Sequence, residues 1–182
     1  MEERIDIISR IGELTGKSCL KSEIHNKGHY HNTAHIWFYT KDEKILLQQR
    51  SKTKAICPLL WDVSVAGHVD AGETIEQAAI REIKEEIGLV IFESDLNKIG
   101  VFECFKSYEN GIIDNEFHHT YLAKLMVPIE SLIPQPGEVE ALKLISFEDY
   151  DMKLNENVDN LHFVKTNKDD YEFVLNQIKA NV

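Results

Sequence analysis

The sequence predicts an α/β (α+β) domain in which strands on both sides of one central helix form a sheet. Thr74 and Gln77 have the spacing of a capping box, which marks the start of that helix. Gly88 is the residue type that commonly ends a helix. Aromatic and branched residues are concentrated in residues 35–40 and 44–50, so two strands joined by a hairpin turn are expected there.

The other elements follow from the spacing of apolar residues and from turn residues. A short helix is expected within residues 18–25, another from Ser146, and an amphipathic helix over residues 169–179. The apolar stripe of the last helix predicts packing in the core or a dimer contact, which leaves a homodimer open. Asn110 and Gly111 form a strong turn signal between two strands. The remaining strands are expected at residues 5–8, 61–66, 99–108, 117–125 and 138–145.

Length and composition favour a single domain. The 182 residues, of which 43% are hydrophobic, suffice for one sizeable core. We therefore expect one domain over residues 1–182. Residues 1–30 would form an N-terminal extension packed on it, and residues 168–182 the C-terminal helix.

Charge and targeting signals exclude several classes of partner. The net charge of -11 argues against binding to a nucleic-acid polymer or an anionic membrane, because Lys and Arg hold such phosphates. Cys19, Cys57 and Cys104 are scattered and predict neither a disulfide framework nor a zinc site. The start has no signal-peptide pattern and the chain has no membrane-length apolar run, so a cytoplasmic location is expected.

Three glutamates on the central helix are the main candidates for chemistry. Glu82, Glu85 and Glu86 stand at i, i+3 and i+4, so their carboxylates lie on one helix face and repel one another. A hard divalent cation such as Mg²⁺ would reverse this repulsion because it binds carboxylate oxygens. The alternative is an ordinary solvated helix face.

The helix and its preceding loop resemble the Nudix box, with matches at Gly67, Glu73, Arg81, Glu82, Glu85, Glu86, Gly88 and Leu89. The resemblance implies the Nudix fold, a mixed β-sheet sandwiched between helices, with a loop–helix–loop metal site. It implies Mg²⁺- or Mn²⁺-dependent hydrolysis of a small diphosphate, such as a nucleoside diphosphate linked to another moiety.

The same resemblance assigns roles within the box. The three glutamates would bind metal or activate water, and Gly67 would offer its carbonyl. Glu73 and Arg81 would brace the loop against the helix by an ion pair, and Gly88 would end the helix.

A narrower resemblance, over Arg50 to His68, is to type I isopentenyl-diphosphate isomerases. It implies that Arg50 and Lys54 hold a diphosphate and that His68 binds a second metal. Those isomerases have a catalytic Cys where this chain has Ala66, and this departure puts isomerisation in doubt.

Several further residues are candidates on weaker grounds. His31 and His35 open a strand and are expected to hydrogen-bond substrate at its mouth. Trp37 would stack a base or fill the core. In the isomerase relatives, two acids spaced like Asp114 and Glu116 bind metal. Glu116 is the expected further ligand or base, and Nudix proteins also use a Glu in the region of Glu138.

Three functional hypotheses follow from these features. The first is a metal-dependent diphosphohydrolase, with Glu82, Glu85 or Glu116 as the base that activates water. The second is an isomerase-like prenyl-diphosphate enzyme, which Ala66 disfavours. The third is a catalytically silent ligand sensor on the same fold, which the intact set of glutamates disfavours.

Overall fold

A computed structural model describes residues 3–155, 163–164 and 168–182. The described residues contain nine strands in one sheet, four α-helices and two short 3₁₀ turns at Glu93–Asp95 and Ile129–Ser131. The strands are β1 Arg4–Ile8, β2 Leu14–Leu20, β3 Tyr30–Tyr39, β4 Lys44–Arg50, β5 Trp61–Asp62, β6 Val65–His68, β7 Asn97–Ser107, β8 Ile113–Lys124 and β9 Val139–Ser146. The helices are α1 Lys21–Lys27, α2 Ile75–Ile87, α3 Phe147–Asn155 and α4 Lys168–Lys179.

Strand β3 is the centre of the mixed sheet. It runs parallel to β8 along its whole length and antiparallel to β6. The predicted β3–β4 hairpin pairs at Tyr39 and Ile45 next to its turn, and β4 then pairs with β9 and β5 instead. The buried hydroxyl of Ser64 links the diverging strands, since it accepts from the Phe38 amide at 2.8 Å and donates to the Leu46 carbonyl at 2.5 Å.

Helices cover both faces of the sheet, as the predicted fold requires. Helix α2 buries Ala79, Ile83 and Ile87 against one face. Helices α3 and α4 cover the other face, and the apolar stripe of α4, including Val174 and Ile178, is buried in that core. The stripe therefore belongs to the core rather than to a dimer contact.

Trp37 was predicted to bind substrate or to fill the core, and the structure corrects the binding assignment. Its side chain is 1% exposed and lies in the core under α3 and α4. Tyr150 and Tyr171 meet its ring edge to face, with centroids 5.8 and 5.0 Å away. No substrate can stack on a ring that is covered in this way.

Three elements differ from the expectations. Strand β2 was not predicted, because most of its residues are exposed and unpatterned. The predicted strand at residues 61–66 is divided into β5 and β6. Asp114 and Glu116 are not between strands but inside β8, which begins at Ile113.

The ends of α2 are as the sequence predicts. The Thr74 hydroxyl accepts from the Gln77 amide at 3.2 Å, and the Gln77 side chain accepts from the Thr74 amide at 3.0 Å. Gly88 closes the helix in the left-handed conformation, with φ of 69°. In the part of the chain that the structure describes, no helix has the length and apolar character needed to span a bilayer.

Replacing Thr74 by Ala should lower the free energy of unfolding by about 1 kcal/mol, because an N-terminal amide of α2 loses its acceptor. Urea unfolding followed by circular dichroism measures the change. Thr74→Ser, which keeps the hydroxyl, is the control and should unfold close to wild type. Equal losses in both variants would show that the methyl group, not the cap, stabilises this end.

Candidate active site

A cavity of about 260 Å³ opens beside α2 and the end of β6. The sheet, the helix and the N-terminal α1 all contribute side chains to it. It brings together most of the residues that the sequence singled out: Arg50, Lys54, Gly67, His68, Glu82, Glu85, Glu86, Asp114, Glu116, Glu138 and His35.

Arg81 ties the loop before α2 to the helix. Its guanidinium donates to both carboxylate oxygens of Glu73 at 2.9 Å, which is the ion pair expected from the sequence. It also donates to the His68 carbonyl at 2.9 Å, to Glu82 at 2.7 Å and to Glu85 at 3.2 Å. One cation therefore fixes the positions of two of the three candidate ligands.

Gly67 leaves space that Glu82 occupies. A Cβ built at Gly67 would meet Cδ of Glu82 at 2.0 Å, so any larger residue would displace this carboxylate. The Glu82 carboxylate lies against the backbone where β6 ends. Burial raises its pKa, and Arg81 only partly offsets the effect.

Glu86 is the most deeply placed of the three. It is 5% exposed and accepts from Gln48 Nε2 at 3.1 Å and from the Ala66 amide at 3.2 Å. Burial, followed by the nearby Glu82, raises its pKa to about 8. Burial is therefore the main cause of the shift, and the like charge of Glu82 adds to it.

The helix glutamates suit a hard divalent cation because their ligand atoms are carboxylate oxygens. The space beside Gly67, here called the cradle, holds the Glu82 carboxylate close to the backbone. Their oxygens do not converge as closely as a ligand set does. Among the described residues, the groups whose ligand atoms all lie within 4.8 Å of one another are histidine groups that share Glu116. Glu82 and Glu85 form ion pairs with Arg81 instead, and Glu86 accepts hydrogen bonds from Gln48 and from the Ala66 amide.

Arg50 and Lys54 reach the same cavity, each paired with an acid. Arg50 donates to Asp62 at 3.1 Å and to the Ile56 carbonyl at 3.1 Å. Lys54 forms an ion pair with Glu138, the acid expected to approach the metal. Both cations therefore line the cavity while retaining protein partners.

His68 lies in a group of three imidazoles and one carboxylate. His68 Nε2 is 3.0 Å from His25 Nε2, and its ring stacks on that of His31 with centroids 5.3 Å apart. His31 lies at the start of β3, as expected, but it is fully buried. Its Nδ1 lies 3.0 Å from the His29 carbonyl and its Nε2 3.4 Å from Glu116.

His25 was not identified from the sequence. Its Nδ1 lies 2.9 Å from Asp114, and this carboxylate more than offsets burial, so the pKa of His25 is raised. A lone histidine in a short polar helix has no pattern that predicts this contact. Sequence reasoning also missed other residues that line or support the cavity, among them Lys21, Gln48, Lys106, Tyr108 and His118.

Comparison with known proteins places the chain in a family. A profile of the NUDIX domain matches residues 29–166. Nudix hydrolase 3 of Arabidopsis thaliana is 38% identical over 154 residues, which cover 82% of this chain and 20% of the plant protein. An uncharacterized Nudix hydrolase of Clostridium acetobutylicum is 35% identical over 164 residues, which cover 88% of this chain and 78% of that protein.

Two further similarities bear on the fold and on the isomerase resemblance. An isopentenyl-diphosphate Delta-isomerase of Photorhabdus laumondii is 32% identical over 124 residues, 68% of each chain. A crystal structure from Deinococcus radiodurans superposes with a TM-score of 0.70 at 19% identity, over 96% of this chain and 98% of that one, which shows the shared fold.

The fold and the profile match together define a Nudix-fold protein with a complete box at its cavity. The chain belongs to the Nudix family, and its relatives include proteins named Nudix hydrolases, so the predicted family and fold are confirmed.

The pKa of Glu86 predicts how the metal-free protein depends on pH. Because the folded-state value of about 8 lies above the ordinary 4.5, this carboxyl costs stability progressively as pH rises from about 4.5 to 8. Glu86→Gln should therefore melt several degrees above wild type at pH 8 in EDTA. The difference should vanish well below pH 4.5, where the carboxyl is protonated in both the folded and the unfolded wild type.

Thermal unfolding followed by circular dichroism at several pH values measures this difference. Glu130→Gln, an exposed change remote from the cavity, is the control and should show no such trend. A Glu86→Gln protein that melts below wild type at pH 8 would contradict the prediction.

Proposed function

We propose that this protein hydrolyses a diphosphate bond in a small molecule with the help of Mg²⁺ or Mn²⁺. The observation that carries the proposal is that Glu82, Glu85, Glu86 and Gly67 line the same cavity as Arg50 and Lys54. Such a cavity combines carboxylates, which bind a divalent metal ion, with Arg and Lys side chains, which bind phosphate oxygens. The net negative charge elsewhere supports a small substrate rather than a nucleic-acid polymer.

Glu82, Glu86 and the Gly67 carbonyl would hold the cation, with Glu85 beside them. When bound, the cation neutralises phosphoryl charge and lowers the pKa of a bound water. Glu85 is the best candidate base, since its side chain is 48% exposed and is held by an ion pair with Arg81 at 3.2 Å. Glu116 is less suited to that role because His31 and His118 lie against its two oxygens.

Lys54 and Arg50 would bind the phosphate oxygens. Asp62 and the Ile56 carbonyl hold the Arg50 guanidinium, so its positive charge keeps one position in the cavity. Lys54 would exchange Glu138 for a phosphate at little net cost, because the ion pair is partly exposed. The group beyond the diphosphate would extend toward Tyr108 and Lys106 at the other side of the cavity.

Glu82→Gln and Glu85→Gln test the proposal directly. Each should lower kcat for phosphate release at least a hundredfold, because a ligand or base is lost while shape is retained. Glu130→Gln is the control and should keep wild-type activity. Full activity in the Glu82 and Glu85 variants would overturn the proposed site.

The substrate class is tested with nucleoside, sugar, dinucleotide and isoprenoid diphosphates, each with Mg²⁺ and Mn²⁺. Product identity locates the phosphorus that is attacked. Turnover of at least one compound, abolished by EDTA and restored by the metal, is the expected result. Metal-assisted binding without any turnover would instead support the silent sensor.

Gly67→Ala tests the cradle without removing a ligand. The new methyl group would push Glu82 away, so we expect activity to fall about 10–100-fold, as for other changes that disturb ligand orientation. The apparent affinity for Mg²⁺ should fall with it. The melting temperature should change little, since the Glu82 side chain can swing toward solvent. Unchanged metal affinity would contradict the role given to Gly67.

Isomerisation of a prenyl diphosphate is the second candidate function. The group of His25, His31, His68 and Glu116 favours it, since the isomerase resemblance implies a metal at His68. Ala66 counts against it, because the thiol expected before Gly67 is missing. Conversion of isopentenyl to dimethylallyl diphosphate without phosphate release would establish this function and exclude hydrolysis.

A further inference from the structure

A second cavity lies on the opposite face of the sheet from the cavity that the helix glutamates line. Neighbouring side chains on a strand point to opposite faces. Thr33 and His118 line the glutamate cavity, and their neighbours Asn32 and His119 line the second one. The second cavity has a volume of about 660 Å³. This volume lies within the range of about 300–1,000 Å³ that is usual for small-molecule sites.

Part of the wall of the second cavity is apolar. In the register of β7 and β8, Val101 stands opposite His119, and Glu103 stands opposite Phe117. Phe117 is only 7% exposed, so the strands form a closed base there. The tip of the β1–β2 hairpin adds Ile11, whose side chain is 77% exposed. Apolar surface from the sheet and from the hairpin therefore borders the cavity.

The charged side chains that line the second cavity are carboxylates. Asp6, Glu76 and Glu103 line it and form no ion pair among the described residues. Glu73 lines it as well, but Arg81 compensates its charge. Among the described residues that line this cavity, none is a lysine or an arginine. A ligand that enters the cavity therefore meets negative charge.

The start of α2 does not make the cavity an anion site. A helix N-terminus commonly binds anions because its amides are unpaired. Here the Thr74 hydroxyl already accepts from the Gln77 amide, and Glu76 lies in the same turn. The hydroxyl of Tyr121, and to a smaller degree Lys98, lower the pKa of Glu76, so its carboxylate is charged at neutral pH. An anionic ligand would be repelled by this carboxylate.

His119 adds no positive charge to the cavity. Burial, followed by the charge of Lys98, lowers its pKa to about 4, so the imidazole is neutral at pH 7. Its Nε2 lies 3.0 Å from Asn32 Oδ1, and because that oxygen accepts, the ring proton is on Nε2. Nδ1 is then an acceptor, and it is buried without a hydrogen-bond partner. The wall thus offers acceptors rather than charged donors.

We propose that the second cavity binds a small organic ammonium ion, with its charged head among the unpaired carboxylates and its apolar body on Phe117 and Val101. An ammonium group supplies both the positive charge and the N–H donors that this wall lacks. A metal ion fits less well, since Asp6, Glu76 and Glu103 are not among the described groups whose ligand atoms lie within 4.8 Å of one another. The proposal goes beyond diphosphate hydrolysis and does not depend on it.

A titration followed by nuclear magnetic resonance tests the proposal. The ¹⁵N-labelled full chain is titrated with phenethylamine, and separately with phenethyl alcohol and hydrocinnamate, which keep the apolar body but remove or reverse the charge. The amine should cause saturable shifts of the amides of β7, β8 and the β1–β2 hairpin. The alcohol and the acid should bind about tenfold more weakly, because several ion pairs are lost. Equal affinity for the three compounds would overturn the proposal.

The position of the shifts gives a second criterion that needs no variant. Shifts confined to the amides around Gly67 and Glu82 would place the amine among the helix glutamates, and this result would also overturn the proposal. Because binding is measured without turnover, failure of this site and failure of the proposed hydrolysis are told apart.

Glu103→Gln tests the contribution of one carboxylate. Glu103 is exposed on an edge strand, so its replacement leaves the core intact. Its affinity for phenethylamine should fall about threefold, the effect of one partly exposed ion pair. Glu109→Gln, which removes the same charge from the exposed turn after β7, is the matched control and should bind the amine as wild type does. Equal affinity in wild type and Glu103→Gln would count against the site.

Discussion

The guanidinium of Arg81 is the contact on which the cavity depends. It holds Glu73 in the loop, the His68 carbonyl at the end of β6, and Glu82 and Glu85 on α2. Without it, the carboxylates of Glu73, Glu82 and Glu85 would lose their shared partner. Because the guanidinium presents several donors in one rigid plane, it fixes directions as well as charge, which a lysine would not do. The loop–helix–loop arrangement is therefore held together by the ion pairs of Arg81 as well as by its backbone conformation.

Two glutamates of the cavity, Glu86 and Glu116, have pKa values shifted in opposite directions. Glu86 has neutral donors, Gln48 Nε2 and the Ala66 amide, so burial prevails and its pKa rises to about 8. Glu116 has histidine partners, which lower its pKa well below the ordinary value. Glu86 therefore holds its proton more tightly than an exposed glutamate does, whereas Glu116 gives up its proton more readily.

Local patterns predicted the elements that local interactions form. The capping box at Thr74 and the glycine at position 88 gave both ends of α2, because caps depend on residues three or four apart. Strand β2 escaped prediction because an exposed edge strand needs no hydrophobic alternation, and β3 and β4 separated after their turn because each finds a longer partner elsewhere. Trp37 could not be assigned from the sequence, since stacking on a ligand and burial under a helix use the same residue type.

The sequence by itself determined the family, the central helix and the identity of the acids on it, because the box is contiguous and its spacing sets one helix face. Only the tertiary structure decided which histidines meet Glu116. His25 comes from α1, His31 and His35 from β3, His68 from β6 and His118 from β8. These residues are brought together by the parallel pairing of β3 with β8 and by the packing of α1 on the sheet, which are long-range contacts that no short motif encodes.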